Sequence, residues 1–206
     1  MFYNLSKSDN YKKLSLLSEL IDKVESRLKK QGVLEEGSGI DYFKDLEVRP
    51  YLRAKRDRIS LLICLKMYEE AESECEDMIR LSDNDNLGLR YTLMALYSYF
   101  GDIESCKKLF EKYEEYTVSM LLPLACAYFK NRDNEESLEY LNKIKNVYLF
   151  KIIKGELKVT NWNVTMYADG AKEEAIVALH EHKFLLVSVP EFIEFIGPAL
   201  SKNYGL

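Results

Sequence analysis

Residues 87–113 read LGLRYTLMALYSYFGDIESCKKLFEKY, and this stretch contains the pattern that decides the fold. Its apolar and aromatic run ends at Gly101-Asp102, and a second amphipathic run follows directly. Glycine is favoured just after the end of a helix, and aspartate favours the start of the next one because its carboxylate accepts hydrogen bonds from free backbone N–H groups. The stretch is therefore predicted to form two helices joined by a tight turn.

Two further stretches follow the same plan around Lys66-Met67 and Arg132-Asp133, so the three turns lie 35 and 31 residues apart. Relative to the first residue of each turn, small residues occur at +5 and apolar or aromatic residues at +9, +12 and −4. These sets are Ala71, Cys106 and Ser137; Cys75, Phe110 and Leu141; Met78, Tyr113 and Ile144; and Leu62, Tyr97 and Tyr128. Small residues let the two helices of a hairpin approach closely, and the larger ones fill the groove between hairpins. The spacing straddles the 34-residue period of tetratricopeptide helix pairs.

The chain is thus predicted to be all-α, a right-handed TPR-like superhelix of about three helical hairpins over residues 49–146. Residues 1–48 are predicted to hold an amphipathic helix over 11–30 and a glycine-containing connector, after which Pro50 suits the first turn of a new helix. Residues 147–206 are predicted to form a C-terminal helical cap, with a loop over 158–170, a helix from 171 to about 182 and a last helix after Ser188.

Five short motifs occur along the chain: RPYLRA at 49–54, YEEA at 68–71, DMIRL at 77–81, NDNLGLRY at 84–91 and YADGAKEEA at 167–175. Together they resemble a family of tetratricopeptide-like proteins, largely uncharacterised and microbial, in which some members carry an appended SEC-C zinc motif. The sequence lacks the cysteine-rich SEC-C tail. The resemblance implies a helical-repeat scaffold and supplies no established reaction.

The net charge, the lengths of the apolar stretches and the cysteines argue against several classes of function. The 206 residues carry a formal charge of −5, so the molecule as a whole offers no long-range attraction to nucleic acid. No uncharged apolar stretch approaches the roughly 18 residues of a membrane span, and the amino terminus has no signal-peptide pattern, so we expect a cytoplasmic protein with no membrane partner. The four cysteines are far apart in sequence and fall in apolar helical patterns, which predicts reduced core thiols.

Seven residues are predicted to contact a protein or peptide partner on the concave face of the repeat. Arg53, Arg56 and Tyr91 fall at positions two and five of the first helix of a repeat, which line that face. The complete set is Arg53, Arg56, Asn86, Arg90, Tyr91, Ser98 and Tyr99.

A structural interpretation of the same region stays open beside that prediction. Asp85 or Asn86 can cap the helix that begins near Leu87, and Arg90 can pair with Asp83 or Asp85.

Opposite charges face each other across the first hairpin. The basic segment 49–58 precedes the acidic segment 69–77. The arginines of the first segment are candidates for gripping a carboxylate or phosphate of a partner. Alternatively, the two segments satisfy one another, in which case each exposed pair contributes only about 0–1 kcal/mol.

No nucleophile, phosphate-loop or metalloprotease motif is present, so the sequence predicts a non-catalytic protein without a cofactor. The two histidines, His180 and His182, point in different directions on a helix and have no evident third ligand, so no metal site is predicted.

The favoured hypothesis is a scaffold or adaptor that binds a protein or peptide. One alternative is a structural subunit that associates with itself or with a larger assembly through helix 11–30. A lower alternative is nucleic-acid binding through the basic residues of that helix, since residues 1–30 carry seven basic and four acidic side chains. Six of the seven basic residues lie within helix 11–30: Lys12, Lys13, Lys23, Arg27, Lys29 and Lys30. Whether this helix occupies the groove of the repeat stays open at this point.

Overall fold

The computed structural model describes residues 6–34, 40–42, 44–82, 84–161, 164 and 166–204, with the side chains of 199–204 left out. Asp83 and parts of the predicted connector and late loop lie outside the described residues. Every regular element in the described part of the chain is an α-helix, which confirms the all-α prediction. The eleven helices are α1 (Lys7–Lys30), α2 (Arg49–Cys64), α3 (Tyr68–Leu81), α4 (Leu89–Phe100), α5 (Ile103–Tyr113), α6 (Val118–Lys130), α7 (Asn134–Lys143), α8 (Val147–Ile153), α9 (Lys172–Glu181), α10 (Lys183–Ser188) and α11 (Pro190–Tyr204).

The chain divides into two compact units, unit 1 (Met1–Leu93) and unit 2 (Met94–Leu206). The division falls inside α4, whereas the predicted segments end at residues 48 and 146. Unit 1 contains α1, α2, α3 and the start of α4, and unit 2 contains the end of α4 and all later helices.

The three predicted turns share one backbone geometry. Lys66, Gly101 and Arg132 all have a positive φ, at 64°, 77° and 63°. The N–H of the next residue in each turn donates to the carbonyl five residues earlier, at Leu62, Tyr97 and Tyr128, with distances of 2.9–3.0 Å. This arrangement is the Schellman motif, which satisfies carbonyls left free at a helix end. The predicted turn positions are therefore confirmed, although lysine and arginine adopt this conformation at a cost of about 1 kcal/mol each.

The small residues predicted inside each hairpin are fully buried. Ala71, Cys106 and Ser137 are all 0% exposed. The Oγ of Ser137 donates a 2.8 Å hydrogen bond to the carbonyl of Ala125, so this side chain joins α7 to α6 directly. The expectation of close helix packing at these positions is confirmed.

The first helix, α1, packs along α2 in the antiparallel direction. The Nδ2 of Asn10 lies 3.5 Å from the Sγ of Cys64 near one end, and the hydroxyl of Tyr51 donates to Glu25 near the other. Ser6 caps the start of α1 by accepting a hydrogen bond from the N–H of Asp9. The predicted amphipathic helix is confirmed, and its apolar face belongs to the core of unit 1.

The carboxyl-terminal helices pack on the third hairpin within unit 2. Helix α9 contacts α6, and α11 contacts α7 and α8. Their apolar side chains join one core with those of the hairpin, including Leu122, Leu141, Phe150 and Phe192. The predicted helices after residues 171 and 188 are confirmed, with Pro190 in the first turn of α11.

Candidate partner-binding site

A lysine lies in the apolar stripe of α2. Leu52, Ile59 and Leu62 form this stripe at helical spacing and are almost completely buried. Lys55 falls on the same face, and its side chain is only 9% exposed. Because an isolated buried ammonium group is very unfavourable, this position requires a nearby acceptor.

The acceptor is Glu74 of α3, whose side chain is 5% exposed. The Nζ of Lys55 lies 2.8 Å from Oε1 of Glu74, and the Nε of Arg58 lies 3.0 Å from Oε2. One buried carboxylate therefore serves two cations, and this triad of side chains carries a formal charge of +1. A buried ion pair is weak evidence for stability because desolvation offsets much of the attraction, so its presence here calls for another explanation.

Two surface clefts of unit 1 meet at the triad. The first cleft has a volume of about 300 Å³ and lies among α1, α2 and α3; its lining comprises Glu25, Lys29, Leu34, Tyr51, Lys55, Asp77, Arg80 and Leu81. The second cleft has a volume of about 370 Å³ and lies between α2 and α3; its lining comprises Lys55, Arg58, Glu69, Glu70, Ser73, Glu74 and Asp77. Lys55 and Asp77 line both clefts.

The two clefts have opposite formal charge. Three cations and two carboxylates line the first cleft, which gives a net charge of +1. Two cations and four carboxylates line the second cleft, which gives −2. Neighbouring surfaces of opposite sign favour a ligand that also carries both signs.

A hydrogen-bonded wall of α1 and α2 fixes one side of the first cleft. Glu25 accepts hydrogen bonds from the hydroxyl of Tyr51 at 2.9 Å and from Lys29 at 2.5 Å. Partial burial favours the neutral acid, but these two donors and the positive charges of Lys55 and Lys29 outweigh it and lower the pKa of Glu25. Burial and the Glu25 carboxylate raise the pKa of Tyr51, so its phenol stays protonated. Glu25 is therefore an anion at neutral pH, and its own donors already hold it.

The exposed arginines predicted to bind a partner have structural neighbours. The Nε of Arg53 donates to the hydroxyl of Tyr42 at 2.6 Å, and its guanidinium lies 5.6 Å from the centre of that ring. Arg49 lies over the same ring at 5.3 Å, so the two arginines hold the connector against α2. Arg56 is also exposed, and its Nη2 lies 3.9 Å from Asp57.

Asp85 explains the acidic segment before α4. This residue has a φ of 38°, and its carboxylate accepts hydrogen bonds of 2.8 Å from the N–H groups of both Leu89 and Arg90. The guanidinium of Arg90 also bonds the Asp85 carboxylate at 2.9 Å and the hydroxyl of Tyr91 at 2.9 Å. The capping interpretation and the Arg90–Asp85 pairing are both confirmed.

The remaining predicted contact residues are less accessible. Asn86 is half-buried beside a narrow pocket that Tyr42 also lines. Ser98 is 0% exposed, which corrects its assignment as a contact residue, because a buried hydroxyl on the core side of α4 cannot reach a partner. The ring of Tyr99 is half-buried and packs against Phe184 in unit 2, at 6.1 Å between ring centres. The structure thus brings Arg90 and Tyr91 together, and it places Arg53 and Asn86 beside the same tyrosine.

Sequence reasoning did not single out Lys55, although the sequence contained a signal for it. The charge between Leu52 and Ile59 interrupts an otherwise apolar stripe. Its partner Glu74 similarly falls between Ala71 and Met78 on the buried face of α3. A cation and an anion that both fall on facing apolar stripes of one hairpin predict a buried pair. For Glu74, the interpretation that the two charged segments satisfy one another is confirmed.

Two side chains that can take part in metal binding, His182 and Cys126, lie in the core of unit 2. His182 is completely buried, and its ring Nε2 lies 3.0 Å from the carbonyl of Ser119. No group of three or more metal-ligating side chains is found among the residues that the structure describes. Burial raises the pKa of the Cys126 thiol to about 12, so it stays protonated. Among the described helices, none combines the length and apolar character needed to cross a membrane.

Comparisons with known proteins add no identification: no family model matches the chain, and no curated protein or solved structure shows significant similarity to it. The resemblance to tetratricopeptide-like proteins therefore stays a prediction.

Proposed function

We propose that this protein is a non-catalytic, TPR-like helical-repeat scaffold that binds a protein or peptide segment at the two clefts of unit 1. The observation that carries the proposal is the buried Lys55–Glu74 pair beneath two solvent-open clefts of opposite charge. Buried charges contribute little net stability, whereas clefts lined by a few convergent polar groups are typical of binding sites.

The dimensions of the clefts favour side chains of a larger partner. A volume of about 300 Å³ is at the lower end of small-molecule sites, and both clefts open to solvent. A peptide segment can place an anionic group in the first cleft and a cationic group in the second. Desolvated charge pairs of this kind supply specificity and fix the register of the segment.

Two other functions and one other partner-binding surface are alternatives to this proposal. Self-association through α1 and nucleic-acid binding rank below it. Ile21 and Leu28 of α1 are buried, which leaves Tyr11, Leu16 and Leu20 as its exposed large apolar side chains, and Lys29 pairs with Glu25. The sequence-predicted surface around Arg56 and Tyr91 remains the rival location for the partner.

Panning a random peptide library against the immobilised protein tests the proposal. We expect enriched peptides that contain both an acidic and a basic group, and we expect the Asp77→Asn/Arg80→Gln variant to bind them about tenfold more weakly. Both changed residues lie at the rim, so circular dichroism should show unchanged helicity.

The Arg56→Ala/Tyr91→Ala variant is the matched comparison and should bind the same peptides normally. If this variant loses binding and the rim variant does not, the partner lies at the sequence-predicted surface. If no peptide is enriched above an empty matrix, peptide binding by this protein is contradicted.

A further inference from the structure

A second stripe of side chains runs along α1, on a side separate from its buried residues Ile21 and Leu28. Its members follow one another at alternating intervals of four and three, and all are exposed. They are Asp9, Lys13, Leu16, Leu20, Lys23, Arg27 and Lys30. The two leucines at its centre are 63% and 55% exposed. This interval is the core repeat of a coiled coil, in which a second helix covers the stripe, hereafter the α1 seam.

The α1 seam is basic on both sides of its two leucines. Together with the adjacent Lys12 and Glu19, it holds five cations and two carboxylates, which gives a net charge of +3. No ion pair joins Lys23, Arg27 or Lys30 to another residue in the described part of the chain. The excess positive charge of this surface is therefore available to an acidic partner, whose field it complements.

A second copy of the chain is a poor occupant of the α1 seam. In a parallel pair each cation would face its own copy, and in an antiparallel pair centred on the leucines Lys13 would face Lys23 of the other copy. Attraction between Asp9 and Arg27 at the ends of the antiparallel pair offsets part of this repulsion, but each copy brings a net charge of +3. Like charges at core positions of a coiled coil disfavour self-pairing and select a different helix.

The two leucines distinguish a protein helix from other anionic partners. Leu16 and Leu20 lie between the cations, and contacts with a phosphate backbone use charged and polar groups rather than apolar ones. Helices that bind a membrane surface bury a broad apolar face that includes aromatic residues, whereas the α1 seam has two leucines and no aromatic residue. A helix with leucine opposite these leucines and carboxylates opposite the cations matches both kinds of position.

From these observations we infer that the α1 seam binds an acidic amphipathic helix of another protein by coiled-coil packing. The two leucines supply the buried centre, and the cations beside them, chiefly Lys23 and Arg27, pair with carboxylates of the partner helix. The methylene stems of these cations lie along the apolar contact while their charged groups reach its edge. The inference goes beyond the proposed function, because the first cleft is lined by Glu25 and Lys29 on another side of α1.

Binding of synthetic peptides to the full-length protein, measured by fluorescence anisotropy, tests the inference. The acidic peptide has three heptads, with leucine at its two central core positions and glutamate at the other core positions. A basic peptide has lysine in place of each glutamate, and a third peptide has a central proline that breaks the helix. We expect saturable binding of the acidic peptide that weakens at high salt, and no saturable binding of the other two.

Two variants of α1 localise the binding. Leu16→Gln/Leu20→Gln removes the apolar centre and should weaken binding of the acidic peptide by about tenfold or more. Lys23→Glu/Arg27→Glu reverses two charges, so it should weaken binding of the acidic peptide by about the same factor and strengthen binding of the basic peptide. All four side chains are exposed, so circular dichroism should show unchanged helicity.

Two further variants are the matched controls. Lys108→Glu/Lys112→Glu reverses two exposed lysines at the same spacing on α5 and should leave binding of the acidic peptide unchanged. The cleft variant Asp77→Asn/Arg80→Gln should also bind this peptide normally, because it alters no residue of the α1 seam. If the cleft variant loses the acidic peptide and the variants of α1 do not, the clefts hold the helix and the inference is overturned.

The inference is also wrong if the acidic peptide does not saturate, or if the α1 variants and the α5 control weaken binding equally. A light-scattering mass of two chains that Leu16→Gln/Leu20→Gln returns to one would assign the α1 seam to a second copy. Tighter α1-dependent binding of phosphatidylserine vesicles or of a DNA duplex would assign it to a membrane or to nucleic acid. Both assignments overturn the acidic helix. None of these results bears on the clefts, so failure of the inference is distinguishable from failure of the proposed function.

Discussion

Unit 1 and unit 2 each bury a glutamate, and the two carboxylates are satisfied in opposite ways. Glu74 in unit 1 is paired with two charged side chains, and those side chains line open clefts. Glu174 in unit 2 is 3% exposed, and its described partners are neutral N–H donors. The same residue type therefore belongs to a charged surface site in one unit and to an enclosed structural centre in the other.

The Glu174 carboxylate connects three segments of unit 2. Its Oε1 accepts from the N–H of Val118, in the first turn of α6, at 2.9 Å. Its Oε2 accepts from the amide of Asn146 at 2.8 Å and from the N–H of Gly170 at 2.7 Å. Asn146 in turn caps α8 by accepting from the N–H groups of Tyr148 and Leu149. Helix N-termini carry partial positive charge, so this position stabilises an anion without a cationic side chain.

Both glutamates are buried but differ in their partners, so the partners of a buried charge indicate its role better than the exposed fraction of its side chain. Backbone donors are fixed by the fold, and an anion that satisfies them stabilises the fold. Charged side-chain partners, by contrast, can be replaced together with the carboxylate that they hold, and Lys55 and Arg58 are such partners of Glu74. Three measurements test this difference between the two units.

The largest effect is expected for Glu174→Ala. This change leaves the donors of Val118, Gly170 and Asn146 buried without their acceptor, so we expect a loss of about 3 kcal/mol in the free energy of unfolding, measured by urea denaturation. Glu173→Ala on the exposed side of the same helix is the control and should cost less than about 0.5 kcal/mol. Equal effects of the two changes would show that Glu174 is not a structural centre.

An intermediate effect is expected for Lys55→Met. Glu74 then keeps only Arg58, so we expect a loss of about 2 kcal/mol, somewhat less than for a completely broken buried pair. The triple variant Lys55→Met/Arg58→Met/Glu74→Met removes all three charges of the triad and should recover to within about 1 kcal/mol of the wild type. Urea denaturation of the single and triple variants measures both values. If the triple variant is less stable than the single one, the triad stabilises the fold in the same way as Glu174 and the contrast fails.

The smallest effect concerns pH and His182 of unit 2. Burial lowers the pKa of His182 to about 4, below the usual value of about 6.5, and its Nδ1 has no hydrogen-bond partner among the described atoms. Between these values the unfolded chain binds a proton that the folded chain does not. The contribution of His182 to stability is therefore complete above about pH 6.5 and is lost progressively as the pH falls toward 4.

We expect about 1 kcal/mol of this loss between pH 7 and pH 5.5. Hydrogen exchange followed by mass spectrometry can measure it separately in peptides of unit 1 and unit 2. His182→Gln keeps a donor for the Ser119 carbonyl and should remove this part of the pH dependence. An unchanged pH dependence in His182→Gln would assign the effect to other groups.

The helices and their turns could be predicted because local sequence determines them. The small residues Ala71, Cys106 and Ser137, together with the turn positions, are sufficient to predict the three hairpins. The Schellman geometry at Lys66 and Arg132 is a less obvious outcome, since neither residue favours a positive φ. It provides hydrogen-bond donors for carbonyls at the end of one helix directly before the next helix begins, which offsets the cost of the positive φ.

The binding surface could be predicted only in part. Arginines were predicted to contact a partner because long charged side chains are usually exposed. In the structure, however, Arg53 lies over the ring of Tyr42 and Arg90 bonds the carboxylate of Asp85. Tyr42, the connector residue that contacts Arg53, lies eleven positions away in the sequence. Helical periodicity does not predict a contact of this kind. Ser98 was misassigned because repeat position alone does not determine which face of α4 the core covers.

The all-α class, the hairpin turns and the amphipathic first helix follow from the sequence alone, because backbone preference and the period of apolar residues act over a few positions. The tertiary structure is needed to show that Lys55 pairs with Glu74, that Glu174 accepts hydrogen bonds from three segments, and that the clefts of unit 1 differ in charge. Those properties depend on distances between residues far apart in the chain. Electrostatic and hydrogen-bond energies change steeply over a few ångströms, which a linear pattern does not specify.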